Sequence, residues 1–424
     1  MPYYENCDEC KKCYPCPVNS GDKNQGAYPI SQGNGDIWYC TNCFYCEDVC
    51  PDYSPRQFAV EQRREYQKLS ARTMNPLRKL REQGLLFAVT ESLNEFRIDS
   101  GLPSLLQPNV KEIDSLFQIV MESSSPASNE TKQNEKIESI HDKIKGKIAL
   151  FLGCLIPYRV QEYELSARNL LEKLGIDYID LPFGCCGSVM TESYSEELWL
   201  TIGAYNLALA EEEGVDTIIT LCGGCVGNLR RVNDCLRSND VKLSTVNKHL
   251  SRIGKRYSGE ISIQHLSEFL LEKQLSNLFA SLVDMAKINS LQKLSASVQI
   301  PCQVIRPKEH LPSSDLETKL LTDLMELAHI DIIHYPYELL CCGSSMLAYD
   351  EELSYKIAKK RIDSLEKRNI DTLILGCGNC SMNFNVHLSE YSNSKITTLF
   401  FTEILDYALG SKNKRIDDLT KKED

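Results

Sequence analysis

GVDTIITLCGGC, residues 214–225, and NIDTLILGCGNC, residues 369–380, are two copies of one unit, displaced by 155 residues. In each, a short apolar run (Thr217 to Leu221; Thr372 to Leu375) reads as a buried strand, with a Cys-x-x-Cys pair at its carboxyl end. Upstream of the first copy, Ile148 to Leu152 is an apolar run bounded by Gly146 and Gly153, which suits another buried strand. Val160, Tyr163, Ala167, Leu170, Leu171 and Leu174 then share one helical face, with Gly175 as a C-cap. Ile176 to Leu181 reads as strand and Leu198 to Leu209 as helix. Around the second copy the late order repeats: strand Ile330 to Tyr335, helix Glu351 to Leu365, strand Thr372 to Leu375. Alternating strand and helix predicts parallel α/β layers. The duplication predicts two α/β lobes facing each other across a pseudo-two-fold axis.

The chain has 424 residues, 42% hydrophobic and 25% charged, enough apolar side chain to bury a core. At about 150 residues per domain, that length implies two to four domains. A net charge of -12 argues against nucleic acid or an anionic membrane as the main partner. No apolar run approaches the ~18 residues of a membrane span; the longest, Ile148 to Pro157, has ten. The opening residues lack the apolar core of a signal peptide. A cytoplasmic chain is expected, associated with a membrane only through a partner. The expected segmentation is a cysteine-rich, α-helical, two-cluster domain over 1–120, with Val18 to Asp36 as a surface loop, then an exposed linker over 121–144. The first lobe covers 145–270, the second 271–410, and 411–424 is an expected disordered tail.

Nineteen cysteines are the anomaly of the composition. Disulfides are rare in reducing cytoplasm, and clustered cysteines there point to metal. Cys40, Cys43, Cys46 and Cys50, followed by Pro51, form C-x2-C-x2-C-x3-C-P, the bacterial ferredoxin run. Three thiolates from one loop grip three corners of a cubane, and the fourth reaches the neighbouring cluster. Cys7, Cys10, Cys13 and Cys16 with Pro17 form the companion run, its last gap one residue shorter. The expected assignment is Cys7, Cys10, Cys13 and Cys50 on one cluster, and Cys40, Cys43, Cys46 and Cys16 on the other. Zinc knuckles are the bland alternative for such pairs. The duplicated region adds Cys154, Cys185, Cys186, Cys222 and Cys225 in one copy, and Cys302, Cys341, Cys342, Cys377 and Cys380 in the other. Each copy thus offers one thiolate more than a cubane needs, which a thiolate bridging two irons would use. Most sit at or after the carboxyl ends of predicted strands, where open α/β sheets place their ligands.

These residues resemble a known family. The duplicated Cys-Cys-Gly pattern, with LFLGCLIPYR, ESYSEELWLTIGAYNLALAEEEGVDT and VNKHLSRIGKRYSGEISIQHLSEFL, is similar to the B-type subunit of heterodisulfide reductase. DIWYCTNCFYCEDVCP resembles the C-type ferredoxin subunit of that enzyme, and the C-then-B order resembles the fused D-type subunit. The resemblance implies two cubane [4Fe-4S] clusters in the N-terminal domain and one non-cubane [4Fe-4S] cluster on each five-cysteine set. It implies a catalytic subunit that reduces a small-molecule disulfide, coenzyme M joined to coenzyme B, with electrons from a flavoprotein A-type subunit or a membrane cytochrome b. Arg159 and Arg306, five and four residues after the first cysteine of each lobe, are candidate contacts for its anionic groups. Family members carry Gly-Cys-His where this chain has Pro301-Cys302-Gln303, so Gln303 stands where a proton donor is usual. The rival reading is an electron-transfer subunit of a glycolate, lactate or glycerol-3-phosphate dehydrogenase type. A structural zinc protein is a third.

Overall fold

A computed structural model describes residues 15–33, 35–50, 54–66, 71–123, 146–310, 319–390 and 394–421. Its centre is two parallel sheets. β1 (Lys147–Phe151), β2 (Ile179–Asp180), β3 (Val215–Thr220) and β4 (Ser262–His265) lie in the order β2-β1-β3-β4. Ala149 pairs with Ile179 on one side and Ile218 on the other, and Ile218 pairs with Ile263. β5 (Ala296–Gln299), β6 (Thr372–Leu375) and β7 (Thr397–Phe400) lie in the order β5-β6-β7, with Val298, Ile374 and Leu399 in register. A single parallel bridge from Ala296 to Ile332 stands where β2 stands in the first sheet, so the two lobes share one topology. Every residue of β5 and β6 is buried, as befits strands covered by helices on both faces.

This order fixes where a site can form. In the first lobe the chain leaves β1 for β2 on one side, then returns to β3 on the other. Loops after β1 and β3 therefore diverge and leave a crevice at their carboxyl ends. Cys154 follows β1 and Cys222 follows β3; Cys302 follows β5 and Cys377 follows β6. One continuous apolar core runs through both lobes. Between them, Tyr163 of helix Gln161–Lys173 stacks on Phe400 at 4.0 Å, and Ser166 meets Thr402 at 2.7 Å.

Several expectations are corrected. Val18 to Asp36 is no surface loop: it contains helices Pro17–Gly21 and Ala27–Ser31, with Val18 fully buried against a cluster that includes Leu353 and Ile357. Its few apolar residues are scattered among polar ones, which hides the packed face. The tail is ordered in part: Asn413 caps helix Lys414–Thr420, which buries Ile416 completely. One apolar anchor and a cap suffice to seat two turns on an existing core. The strand expected over Ile330 to Tyr335 shrinks to the Ile332 bridge, because Asp331, Ile333 and His334 are exposed at a sheet edge. β2 is likewise only Ile179–Asp180. Most of the expected linker, 124–144, lies outside the described residues, as do Cys7, Cys10 and Cys13.

Candidate metal centres

The first five cysteines meet at the crevice of the first sheet. β1 delivers Cys154, the loop after β2 delivers Cys185 and Cys186, and Cys222 caps the helix Gly223–Arg237, whose first turn carries Cys225. Two asparagines fix the paired cysteines by their backbone. Asn206 donates to the Cys185 carbonyl at 3.0 Å and accepts from the Gly184 N–H at 2.9 Å; Asn228 donates to the Cys186 carbonyl at 2.6 Å. At Gly153, where φ is +69°, a Cβ would stand 2.8 Å from the Cys225 sulfur. Only glycine leaves that space to whatever the sulfurs bind.

The second set repeats the construction. Cys302 follows β5, Cys341 and Cys342 follow the Ile332 segment, and Cys377 and Cys380 flank the start of helix Gly378–Glu390. Asn383, three residues after Cys380 as Asn228 is after Cys225, donates to the Cys342 carbonyl at 3.0 Å. The partner of the Cys341 carbonyl is Arg361.

The thiols of both sets join. Neighbouring thiols shift one another's ionisation along Cys154–Cys185–Cys186–Cys225–Cys222 in the first lobe and Cys377–Cys380–Cys342–Cys341–Cys302 in the second, and Cys222 and Cys377 do so across the two. Ten sulfurs form one chain, pseudo-symmetric about its middle. Thiols donated by Cys154 and Cys186 hold Cys185 well below the ordinary cysteine range, and those of Cys302 and Cys342 do the same for Cys341. Donating thiols such as Cys225 and Cys380 are correspondingly pushed well above it. Among the described residues, no three His, Cys, Asp or Glu side chains group as a single bound ion requires.

A third group of sulfurs lies in the N-terminal domain. Cys16, Cys40, Cys43 and Cys46 line one cavity with Ala27, Ile30, Phe44 and Arg56. Cys50, expected to serve the companion cluster, lies outside that lining, at the end of helix Tyr45–Val49. Burial, followed by the charge of Cys341, pushes the Cys43 thiol up, which places this cavity beside the second lobe's sulfurs. The loop carrying Cys43 is fastened there: Ser345 donates to the Thr41 carbonyl at 3.1 Å, and Tyr39 donates to Asp350 at 3.1 Å.

The residues expected to touch substrate separate. Gln303 donates to the Asn42 carbonyl at 3.0 Å, and so fastens the same loop. Arg306 is 4% exposed and is held between Asp48 at 3.3 Å and the Leu339 carbonyl at 2.7 Å, across the domain interface. Arg159 is exposed, with its guanidinium 5.5 Å from the Phe87 ring. Asn206, Asn228, Arg361 and Asn383 were missed by the sequence reading, although a C-x-x-N repeat at Cys225–Asn228 and Cys380–Asn383 was there to be seen.

The donor set suits iron–sulfur groups: all-thiol, eight of ten buried, five to a lobe, with a glycine cradle beside Cys225. Comparisons with known proteins agree. Residues 148–230 and 296–385 match the family model described as a cysteine-rich domain, and residues 3–51 match a 4Fe-4S dicluster domain. A protein of Archaeoglobus profundus that is named for its likeness to the B-type subunit of heterodisulfide reductase is 30% identical over 282 residues, covering 64% of this chain and 93% of the relative. The B-type subunit of the ferredoxin:CoB-CoM heterodisulfide reductase of Methanosarcina mazei is 27% identical over 275 residues, covering 62% and 89%. The crystal structure of a hypothetical protein from Helicobacter pylori shares the fold, with a TM-score of 0.55 at 19% identity over 97% of this chain and 68% of that one. With its paired cysteine-rich lobes and its N-terminal 4Fe-4S dicluster domain, the chain belongs to the B-type heterodisulfide reductase family of iron–sulfur oxidoreductase subunits.

Proposed function

We propose that this chain is the catalytic subunit of a heterodisulfide reductase, cleaving the coenzyme M–coenzyme B disulfide, or a close relative of it, to two thiols. One observation carries the reading: ten thiols from two lobes, eight of them buried, interact in a single series whose far end, at Cys302 and Cys341, neighbours Cys43 of the N-terminal cavity. Cys154, Cys185, Cys186, Cys222 and Cys225 would hold one non-cubane [4Fe-4S] group, and Cys302, Cys341, Cys342, Cys377 and Cys380 the other. Cys40, Cys43, Cys46 and Cys16 would hold one cubane, and Cys7, Cys10, Cys13 and Cys50 the second. When bound, such groups supply one-electron storage.

The balance of the reaction sets what the protein must provide. R–S–S–R′ takes up two electrons and two protons; the S–S bond breaks and each sulfur leaves as a thiol. Two facing lobes present the two sulfurs with two separate sets of ligands. Burial keeps water from the reduced site, since eight of the ten lobe cysteines are buried. The Tyr163 hydroxyl, which burial pushes well above its usual range, stays protonated and donates to the Gly376 carbonyl at 3.2 Å, fixing one lobe's ligand loop from the other. Arg159, exposed and five residues beyond Cys154, is left to meet anionic groups of the substrate. Electrons come from a separate donor, a flavoprotein or a membrane cytochrome b. No helix among the described residues is long and apolar enough to cross a membrane.

Anaerobic protein should contain about sixteen irons with matching sulfide, four groups of four. A count near eight with stoichiometric zinc would remove the lobe clusters, and the proposed function with them.

A further inference from the structure

The two lobes are alike in ligands but unequal in charge. Shifting the first copy by 155 residues superposes Cys225 on Cys380, Asn228 on Asn383, and Asn206 on Arg361. Asn206 and Arg361 lie in corresponding helices, Glu196–Glu212 and Glu351–Glu366, and both donate to the carbonyl of the first cysteine of the adjacent pair. One is a neutral amide; the other is a guanidinium with no exposed surface. Among the described residues Arg361 has carbonyl and ring partners only: it donates to the Ile357 carbonyl at 2.7 Å and to that of Cys341, and lies 5.3 Å from the centroid of the Tyr337 ring. Its Nε is buried without a hydrogen-bond partner, and among the described residues no carboxylate pairs with it.

A fully buried cation without an anion is costly, several kcal/mol even after relaxation. Of the other seven buried arginines among the described residues, six have carboxylates: Arg97 and Arg168 have Glu164, Arg230 has Glu268, Arg56 and Arg231 have Glu192, and Arg306 has Asp48. The seventh, Arg63, donates to the Ile37 carbonyl and to Ser193, with the charge of Cys40 acting on it. What stands beside Arg361 instead is the Cys341 end of the second five-cysteine set. Those thiolates, when holding iron and sulfide, would supply the missing negative charge there.

We propose that Arg361 is the counter-charge of the second lobe's iron–sulfur group, and that it makes that group more easily reduced than the one in the first lobe, where Asn206 stands. A buried positive charge favours the reduced, more negative state by direct Coulomb attraction, weakly screened at this depth. The group it favours is the one beside Cys43, so the first electron arriving through the N-terminal cavity settles in the second lobe. Arg361 is thereby a positioning residue that orders the two one-electron events; it does not touch the disulfide. The inference rests on the proposed occupancy of both lobes.

The test is a redox titration of the whole iron-loaded chain, followed by EPR, with Arg361→Gln and Arg361→Lys beside the unaltered protein. Arg361→Gln should move one lobe signal, leaving the other in place, to a potential at which its reduction constant is tenfold lower or more, a shift of at least 59 mV for one electron. Arg361→Lys should keep it within tenfold. Should Arg361→Gln load iron in one lobe only while Arg361→Lys loads both, the counter-charge role stands. Equal loading with unmoved potentials, loss of iron in both variants alike, or a shift of both signals together would overturn it. Absence of iron from both lobes in the unaltered protein would instead overturn the proposed function beneath it.

Discussion

Glu192→Gln should loosen the N-terminal domain from the lobes. Glu192 is 2% exposed and lies between two buried guanidiniums, Arg56 of helix Pro55–Tyr66 and Arg231 of helix Gly223–Arg237, while its carbonyl accepts from Arg64 at 2.7 Å. The two arginines also cover the faces of Phe44, at 4.3 and 4.7 Å from the ring centroid, next to the cavity of Cys40 and Cys43. Burial pushes the Glu192 carboxyl up, but Arg56 and Arg231 outweigh it and pull the pKa down to about 2. A fall of roughly two units from the ordinary ~4.3, at 1.36 kcal/mol per unit, is about 3 kcal/mol of native-state preference for the charged form. Removing one partner of a buried ion pair costs about 3–5 kcal/mol by a separate route. The variant should therefore lose about 3 kcal/mol, read as a lower urea midpoint at unchanged slope. Because the folded pKa is depressed, this contribution is complete above the unfolded ~4.3 and fades as pH falls towards 2. The deficit of the variant should shrink over that window in cluster-free protein. Limited proteolysis at neutral pH should release the N-terminal domain first. An unchanged midpoint at pH 7, or additive losses in the Glu192→Gln, Arg231→Met cycle, would refute the clamp.

Other consequences can be checked singly. Cys186→Ser and Cys342→Ser should each abolish thiol release while the N-terminal clusters remain reducible by dithionite; full activity in both would make the adjacent pairs structural. Gly153→Ala should cost the first lobe its iron, because the methyl falls 2.8 Å from the Cys225 sulfur at a φ of +69°; normal iron content would contradict that. His310 bonds Asp234 at 2.7 Å and Glu309 at 3.3 Å, and although its burial opposes them, these carboxylates raise it to about 9. Its contribution is complete below the unfolded ~6.5 and lost as pH rises through about 9, so His310→Gln should cost about 1–2 kcal/mol at pH 6 and little above pH 9.5. A cost that does not vary with pH would contradict the ion pair.

The fold class and the cysteines could be read from the chain, and the reasons are physical. The short apolar runs Ile218–Ile219 with Leu221 in and after β3, and Leu373–Leu375 in β6, lead straight into Cys-x-x-Cys, so buried strand and ligand loop announce themselves together. Strands β4, β5 and β7 went unseen because Gln264, Gln299, Thr397 and Thr398 interrupt the apolar signal; their register comes from neighbouring strands. Arg306 and Arg159 looked like a pair in sequence, yet one is buried against Asp48 and the other is exposed. Spacing along a chain carries no information on what packs against each copy. Gln303, expected at the substrate, donates to the Asn42 carbonyl, a partner 261 residues away that no local pattern announces. The supporting asparagines and Arg361 act on cysteine carbonyls, contacts that leave only a C-x-x-N trace in the sequence.

The central claim is that two facing ligand sets let one chain carry a disulfide through a two-electron cleavage. Its most direct measurement is a single turnover: anaerobic protein, reduced in advance and freed of excess reductant, is mixed with the coenzyme M–coenzyme B disulfide and the thiols are counted. The account predicts two thiols for every two electrons lost from the protein, in the unaltered chain but not in Cys342→Ser. Clusters that reduce and reoxidise normally while no thiol appears from this or any related disulfide would contradict it, and would leave an electron carrier in its place.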